Sequence, residues 1–201
     1  MNQNLPTIDF EKVEQLVHHN FERRRSYASF FEWKNPNNPE LGKKVKERSV
    51  VCDLVKSLEK DAGCELFQTV RYGENPPDAV ATDTTGNSVG FEVTELVDEQ
   101  TVKLWARGLG RDKEWEIEEV IRKIEQILCD KSKKLAASSY PKNILVMHTD
   151  EGDLRWKFRT GELNLNARLF KQHPHIDQAF LLFSYQPVQE TYPYLELKFL
   201  P

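Results

Sequence analysis

Pro76-Pro77-Asp78-Ala79-Val80-Ala81-Thr82-Asp83-Thr84-Thr85-Gly86-Asn87-Ser88-Val89-Gly90-Phe91-Glu92-Val93-Thr94-Glu95 is the stretch on which the fold turns. It reads as two short strands joined by a turn. Val80 and the run from Val89 to Val93 are strand-like, whereas Asp83 to Asn87 is rich in turn formers. Side chains alternate faces along a strand, so Glu92 and Thr94 point one way and Phe91 and Val93 the other. Pairing of the two strands across the turn brings Asp78 within reach of Glu92. Two carboxylates then converge, and with a nearby main-chain carbonyl they make a hard oxygen site suited to Mg2+ or Mn2+. Such an ion polarises a phosphate and makes a bound water a better nucleophile.

The segments on either side extend this pattern. From Glu40 to about Lys60 the apolar stripe Val51, Leu54, Val55 and Leu58 predicts a helix, with Gly63 as its stop. Counting back along that stripe places Glu47 on it, one turn before the apolar residues begin. Cys64 to Val70 reads as a first core strand. Beyond the hairpin, Val97 to Arg111 carries Lys103, Trp105, Arg107, Arg111 and two glycines, and is expected to be an exposed connector. A long helix follows over Asp112 to Leu135, where Ile117, Val120, Ile121, Ile124, Leu128, Lys131 and Leu135 share one face. Lys131 interrupts that apolar row. Lys142 to His148 reads as a strand buried on both faces, reached by a helical crossover as in a parallel pair.

The spacing Pro77-Asp78, thirteen intervening residues, then Glu92-Val93-Thr94 resembles the bipartite signature of the PD-(D/E)XK nuclease superfamily, the restriction-endonuclease-like fold. The order helix, strand, strand, strand, helix, strand over Glu40 to His148 is similar to that superfamily's core. The resemblance implies an α/β, three-layer core: a central mixed β-sheet flanked by helices, with an added N-terminal helix and C-terminal strands. It implies a restriction-endonuclease-like domain over 40–201 and a helical extension over 1–39 packed on it. Asp78, Glu92 and the carbonyl of Val93 become metal ligands, and Glu47 matches the acidic residue that faces the metal from the preceding helix. A glutamate favoured by the dipole at a helix entry is the other account of Glu47.

Thr94 stands where the superfamily pattern has lysine. The resemblance offers Lys131 as the replacement ammonium, with Lys133 and Lys134 as lesser alternatives; its role would be electrostatic, on the phosphate's developing charge. The competing account is a lysine that complements the helix dipole and snorkels past its neighbours. Two functions follow: a metal-dependent nuclease acting on DNA or RNA, or a protein that keeps the fold without the chemistry and binds nucleic acid or protein. Lys103, Arg107 and Arg111 are the expected contacts to a phosphate backbone.

Composition sets the outer bounds. At 201 residues, with 39% hydrophobic and 30% charged residues, the chain suits one domain with a sizeable core. A net charge of −4 disfavours strong nonspecific polyanion binding except through local clusters. Apolar runs such as Ala179 to Phe183 are too short to cross a bilayer, and the N-terminus lacks the marks of a signal peptide. A cytoplasmic protein without a membrane partner is expected. Three cysteines with no CxxC pair suggest reduced core or near-core thiols rather than a disulfide framework or zinc ribbon.

The ends of the chain add detail. Thr7 to Trp33 has helical periodicity, and Arg23, Arg24 and Arg25 with Tyr27, Phe30, Phe31 and Trp33 either grip nucleic acid or pack on the domain. Thr149 to Asp153 reads as an acidic turn, Leu163 to Phe170 as a short helix, and His173 and His175 as loop residues. Ala179 to Tyr185 is a buried strand and Leu195 to Phe199 a half-buried edge strand. No phosphate-binding loop, dinucleotide turn or nucleophile elbow is present.

Overall fold

A computed structural model describes residues 39–200, apart from 75, 106, 110–112, 166–167 and 187–189. The helix expected over 7–33, its basic and aromatic residues, and Arg111 lie outside the described residues. Helix α1 (Pro39–Ala62) is followed by strands β1 (Phe67–Tyr72), β2 (Ala79–Asp83) and β3 (Ser88–Glu95), short helix α2 (Glu99–Trp105) and long helix α3 (Ile117–Leu135). Strand β4 (Lys142–Thr149), helix α4 (Gly152–Thr160) and strands β5 (Leu169–Phe170), β6 (Gln178–Phe183), β7 (Tyr194–Glu196) and β8 (Lys198–Phe199) complete the chain.

Six strands form one mixed sheet in the order β1-β2-β3-β4-β6-β7. The pairs β1–β2, β2–β3 and β6–β7 are antiparallel, whereas β3–β4 and β4–β6 are parallel. β4 is therefore a central parallel strand, and Asn143 to Thr149 are all buried, as its unbroken apolar run predicts. Alternation splits the sheet's side chains between two cores. Phe91, Val93, Ile144 and Val146 pack against Val50, Val51, Leu54 and Val55 of α1. Leu145, Met147, Ala179 and Leu181 pack on the other face against Val120, Ile121, Ile124 and Leu128 of α3. Fully burying one such leucine or isoleucine contributes roughly 1.5–3 kcal/mol, so each helix is held chiefly by its apolar stripe.

The helix α1 ends where its sequence predicts. Ala62 is its last residue, and Gly63 takes the left-handed conformation with φ of 66°. Two polar side chains of α1 lock it to the edge strand and the residue before it. Arg48 Nε donates to the Val70 carbonyl at 2.9 Å, and Glu59 Oε1 accepts the N–H groups of Leu66 and Phe67, each at 3.0 Å.

Several elements depart from expectation. The stretch read as an acidic turn instead starts α4: Asp153 in its first turn favours the dipole and pairs with Lys157 at 2.9 Å, while Leu154 is buried. Phe158 of α4 stacks on Phe183 with ring centroids 4.4 Å apart. Gly161, with φ of 79°, then turns the chain, and no helix forms over the described part of Leu163 to Phe170. Leu163 and Leu165 are buried from irregular chain, and Leu169–Phe170 pairs with β8.

The connector after β3 holds α2, because Asp98 Oδ2 accepts the N–H of Thr101 at 2.7 Å and its hydroxyl at 2.8 Å, capping a helix whose Val102 is buried. Helix α3 begins at Ile117 rather than Asp112; Trp115 before it donates its main-chain N–H to Asp153 Oδ2 at 2.8 Å. The C-terminal strand divides at Leu197 between the main sheet and the small β5–β8 sheet. Cys52 and Cys129 are half-buried as expected, but Cys64 is exposed, lying just past the turn at Gly63.

Candidate active site

Asp78 is carried to the sheet by a tight passage of chain. β2 pairs with β3 so that Ala79 faces Phe91, and the same antiparallel register sets Asp78 opposite Glu92. Gly73 N–H donates to the Asp78 carbonyl at 3.0 Å. A Cβ on Gly73 would lie 2.0 Å from the Pro77 carbonyl oxygen, and one on Gly90 would lie 3.0 Å from Pro77 Cγ. Both glycines thus let the Pro77-Asp78 segment approach its neighbours closely. The Asp78 side chain then accepts the Val93 N–H through Oδ2 at 2.8 Å, which leaves Oδ1 for another partner.

Glu92 is fully buried and Asp78 nearly so. Removing a carboxylate from water costs several kcal/mol even after relaxation, so buried charges of this kind need partners. Helix α3 supplies them. Lys131 Nζ and Lys134 Nζ each donate to Glu92 Oε1 at 2.6 Å. Lys131 also donates to the Val93 carbonyl at 3.2 Å, and Lys134 to Asp78 Oδ1 at 3.4 Å. The two lysines lie three residues apart, on one face of the helix. Burial pulls the Lys134 pKa down, but the hydrogen bond and charge of Glu92, then the charge of Asp78, outweigh it and leave the value raised.

Glu47 of α1 is buried beside this pair. Burial, then the charge of Asp78, pushes its carboxyl above the usual range, against the opposing pull of Lys43 at 3.5 Å. Such a group holds or releases a proton closer to neutrality than an exposed glutamate does.

The donor set suits a divalent ion. Asp78, Glu92 and the Val93 carbonyl are hard oxygens gathered at one point, and the second Glu92 oxygen, Oε2, is buried without a hydrogen-bond partner. Among the described residues no three His, Cys, Asp or Glu side chains form a ligand cluster. Glu47 therefore stands beside the two carboxylates rather than completing a triad with them, and the set here is two carboxylates and a carbonyl.

Protein-family models, curated proteins and solved structures were compared with the chain, and none matches.

Of the other residues singled out by sequence, Thr94 is half-buried on β3, opposite Met147 of β4. Lys133 is exposed and faces Asp130 at 3.5 Å. Lys103 lies exposed on α2, where it lines an open concavity with Asp98, Glu99, Gln100 and Lys123. Arg107 is exposed just beyond that helix. Neither is among the side chains bonded to Asp78 or Glu92. Among the described residues no helix is long and apolar enough to cross a membrane.

Sequence reasoning missed a second polar group at the ends of β3 and β4. Glu95 and His148 are register partners on the α1 face of the sheet. Burial raises the Glu95 pKa to about 7, with Lys46 opposing and Asp150 and Glu151 reinforcing. Burial lowers His148 to about 4, with Asp150 opposing. Ser184 donates to Asp150 at 2.5 Å. The legible signal was polarity itself: on that face Glu95 follows Val89, Phe91 and Val93, and His148 follows Ile144 and Val146.

Proposed function

We propose that the chain is a metal-dependent nuclease of the PD-(D/E)XK type that hydrolyses phosphodiester bonds of DNA or RNA. The observation that carries this reading is the convergence of Asp78 Oδ1, Glu92 Oε1 and the Val93 carbonyl on two lysine ammonium groups. The mixed sheet with α1 on one face and α3 on the other, entered in the order α1-β1-β2-β3-α3-β4 save for the inserted α2, accords with a restriction-endonuclease-like core. Fold alone does not fix function, so the weight rests on the site.

Asp78, Glu92 and the Val93 carbonyl would hold Mg2+ or Mn2+, which when bound supplies Lewis acidity toward a phosphate oxygen and lowers the pKa of a water. Glu47, with its raised pKa, orients the attacking water and takes up its proton at a carboxylate oxygen. Lys131 sets a positive charge against the phosphate oxygens as their charge grows, the task for which Thr94 has no group. The P–O bond to the leaving oxygen breaks as the water oxygen bonds to phosphorus, and the leaving oxygen takes a proton from solvent.

The second reading, a nuclease-fold module without catalysis that binds nucleic acid or protein, is favoured by one observation. Both carboxylates already have ammonium partners, so the cluster also satisfies itself as a buried ion network. A cleavage assay in Mg2+ or Mn2+ on single- and double-stranded DNA and RNA separates the two. The nuclease reading predicts cleavage by the wild type and its loss in Asp78→Ala, Glu92→Ala and Lys131→Ala. Four proteins that behave alike would remove the catalytic assignment.

A further inference from the structure

We propose that Lys134 is the resident counter-ion of this site, so that a divalent ion enters by displacing its ammonium group from Asp78 and Glu92. The proposal rests on the metal-dependent reading above and extends it to how the site is loaded.

The ligand set is already engaged by cations of the chain itself. Lys134 bridges Asp78 Oδ1 and Glu92 Oε1, and Lys131 bridges Glu92 Oε1 and the Val93 carbonyl. Two ammonium charges therefore meet two carboxylate charges. Adding a divalent cation to that balance leaves two positive charges uncompensated in a place where Glu92 is fully buried, and charges there are costly unless paired. The departure of one ammonium removes one of these charges, and the arrival of an anion the other.

Lys134 is the one that leaves. It alone touches both carboxylates, so it lies between the two side chains an ion would bridge. Its side chain is 34% exposed against 22% for Lys131, and its contact to Asp78 is the longest of the four at 3.4 Å. Lys131 is also held by the Val93 carbonyl. A flexible four-carbon stem lets the Lys134 ammonium swing toward solvent without any movement of α3. Once displaced, it is a free positive charge at the mouth of the site, suited to a phosphodiester oxygen. Ion and phosphodiester then favour each other's binding, because each removes the charge imbalance that the other creates.

The test is calorimetric titration with Mn2+ at pH 8 of wild type, Lys134→Met, Lys134→Gln and Lys131→Met. Removing a competing charge-assisted contact predicts Mn2+ binding about tenfold or more tighter in both Lys134 variants than in wild type. Wild type that binds Mn2+ while the Lys134 variants bind it equally or more weakly overturns the proposal. No uptake of Mn2+ by any of the four proteins removes the metal-dependent reading and the proposal with it. A wild-type measurement covers the case of variants that do not fold. In NMR spectra that resolve lysine ammonium groups, saturating Mg2+ moves the Lys134 signal, and a Lys134 signal unchanged on binding overturns displacement.

Discussion

Lys131 Nζ lies 2.6 Å from Glu92 Oε1 and 3.2 Å from the Val93 carbonyl oxygen, so helix α3 delivers an ammonium group to the strand on which Thr94 supplies none. In the nuclease reading this charge acts mainly on the transition state. Lys131→Met is expected to lower kcat/KM for cleavage by about 10²–10³-fold, the usual cost of losing one preorganised electrostatic group. Thr94 shares a strand face with Glu92. Thr94→Lys in the Lys131→Met background is therefore expected to recover part of the loss. Cleavage by Lys131→Met at the wild-type rate would remove Lys131 from the mechanism.

Gly73 and Gly86 separate crowding at the site from backbone strain. At Gly73 a methyl group meets the Pro77 main chain, so Gly73→Ala must shift Pro77 and Asp78. It is expected to lower stability by about 1–3 kcal/mol and to abolish cleavage, as overpacking beside a ligand does. Gly86 has open space but a φ of 89°, so Gly86→Ala is expected to cost roughly 1 kcal/mol through the turn and leave cleavage intact. Denaturant unfolding and cleavage rates on both variants provide the check. Equal losses of activity would place the effect in global stability instead of in the position of Asp78.

Glu95 and His148 give opposed pH dependences. The Glu95 pKa rises from 4.5 to about 7 on folding, so the folded state holds the extra proton and stability falls as pH rises through that window. The His148 pKa falls from 6.5 to about 4, so the unfolded state holds the extra proton and stability is lost as pH falls through that window. Each slope is at most about 1.4 kcal/mol per pH unit, and between pH 4.5 and 6.5 the two offset. Glu95→Gln is expected to unmask stability that increases with pH over this range, and His148→Asn stability that decreases. Unfolding curves at several pH values test this, and parallel profiles for the two variants would contradict it.

Much of this architecture is legible in the chain. Hairpin, central strand, both flanking helices and the stop at Gly63 follow from short-range pattern, because each buries a stripe or a face that the sequence writes out. Lys131 is legible for the same reason, as a charge set in an apolar row. Lys134 is legible only as a lesser alternative: it falls one turn on and beside that row, and it is the contact at 2.6 Å that shows it reaching the same Glu92 oxygen. The helix at Gly152–Thr160 is hidden because Asp150 to Asp153 carries turn-forming residues that serve here as a helix start. Asp98, which caps α2, offers a readable signal in its spacing to Thr101. Leu163 to Phe170 misleads in the other direction: Leu165 and Leu169 stand four residues apart, a helical step, yet Leu163 and Leu165 are buried from irregular chain and Leu169 belongs to a strand.

In the nuclease reading Asp78, Glu92 and the Val93 carbonyl take a divalent ion. Anomalous diffraction from crystals soaked in Mn2+ decides whether they do. A manganese peak is expected within ligand distance of Asp78 Oδ1, Glu92 Oε1 and the Val93 oxygen, with the Lys134 ammonium moved away. A peak only elsewhere on the surface, with both ammonium groups still seated on Glu92, would contradict it.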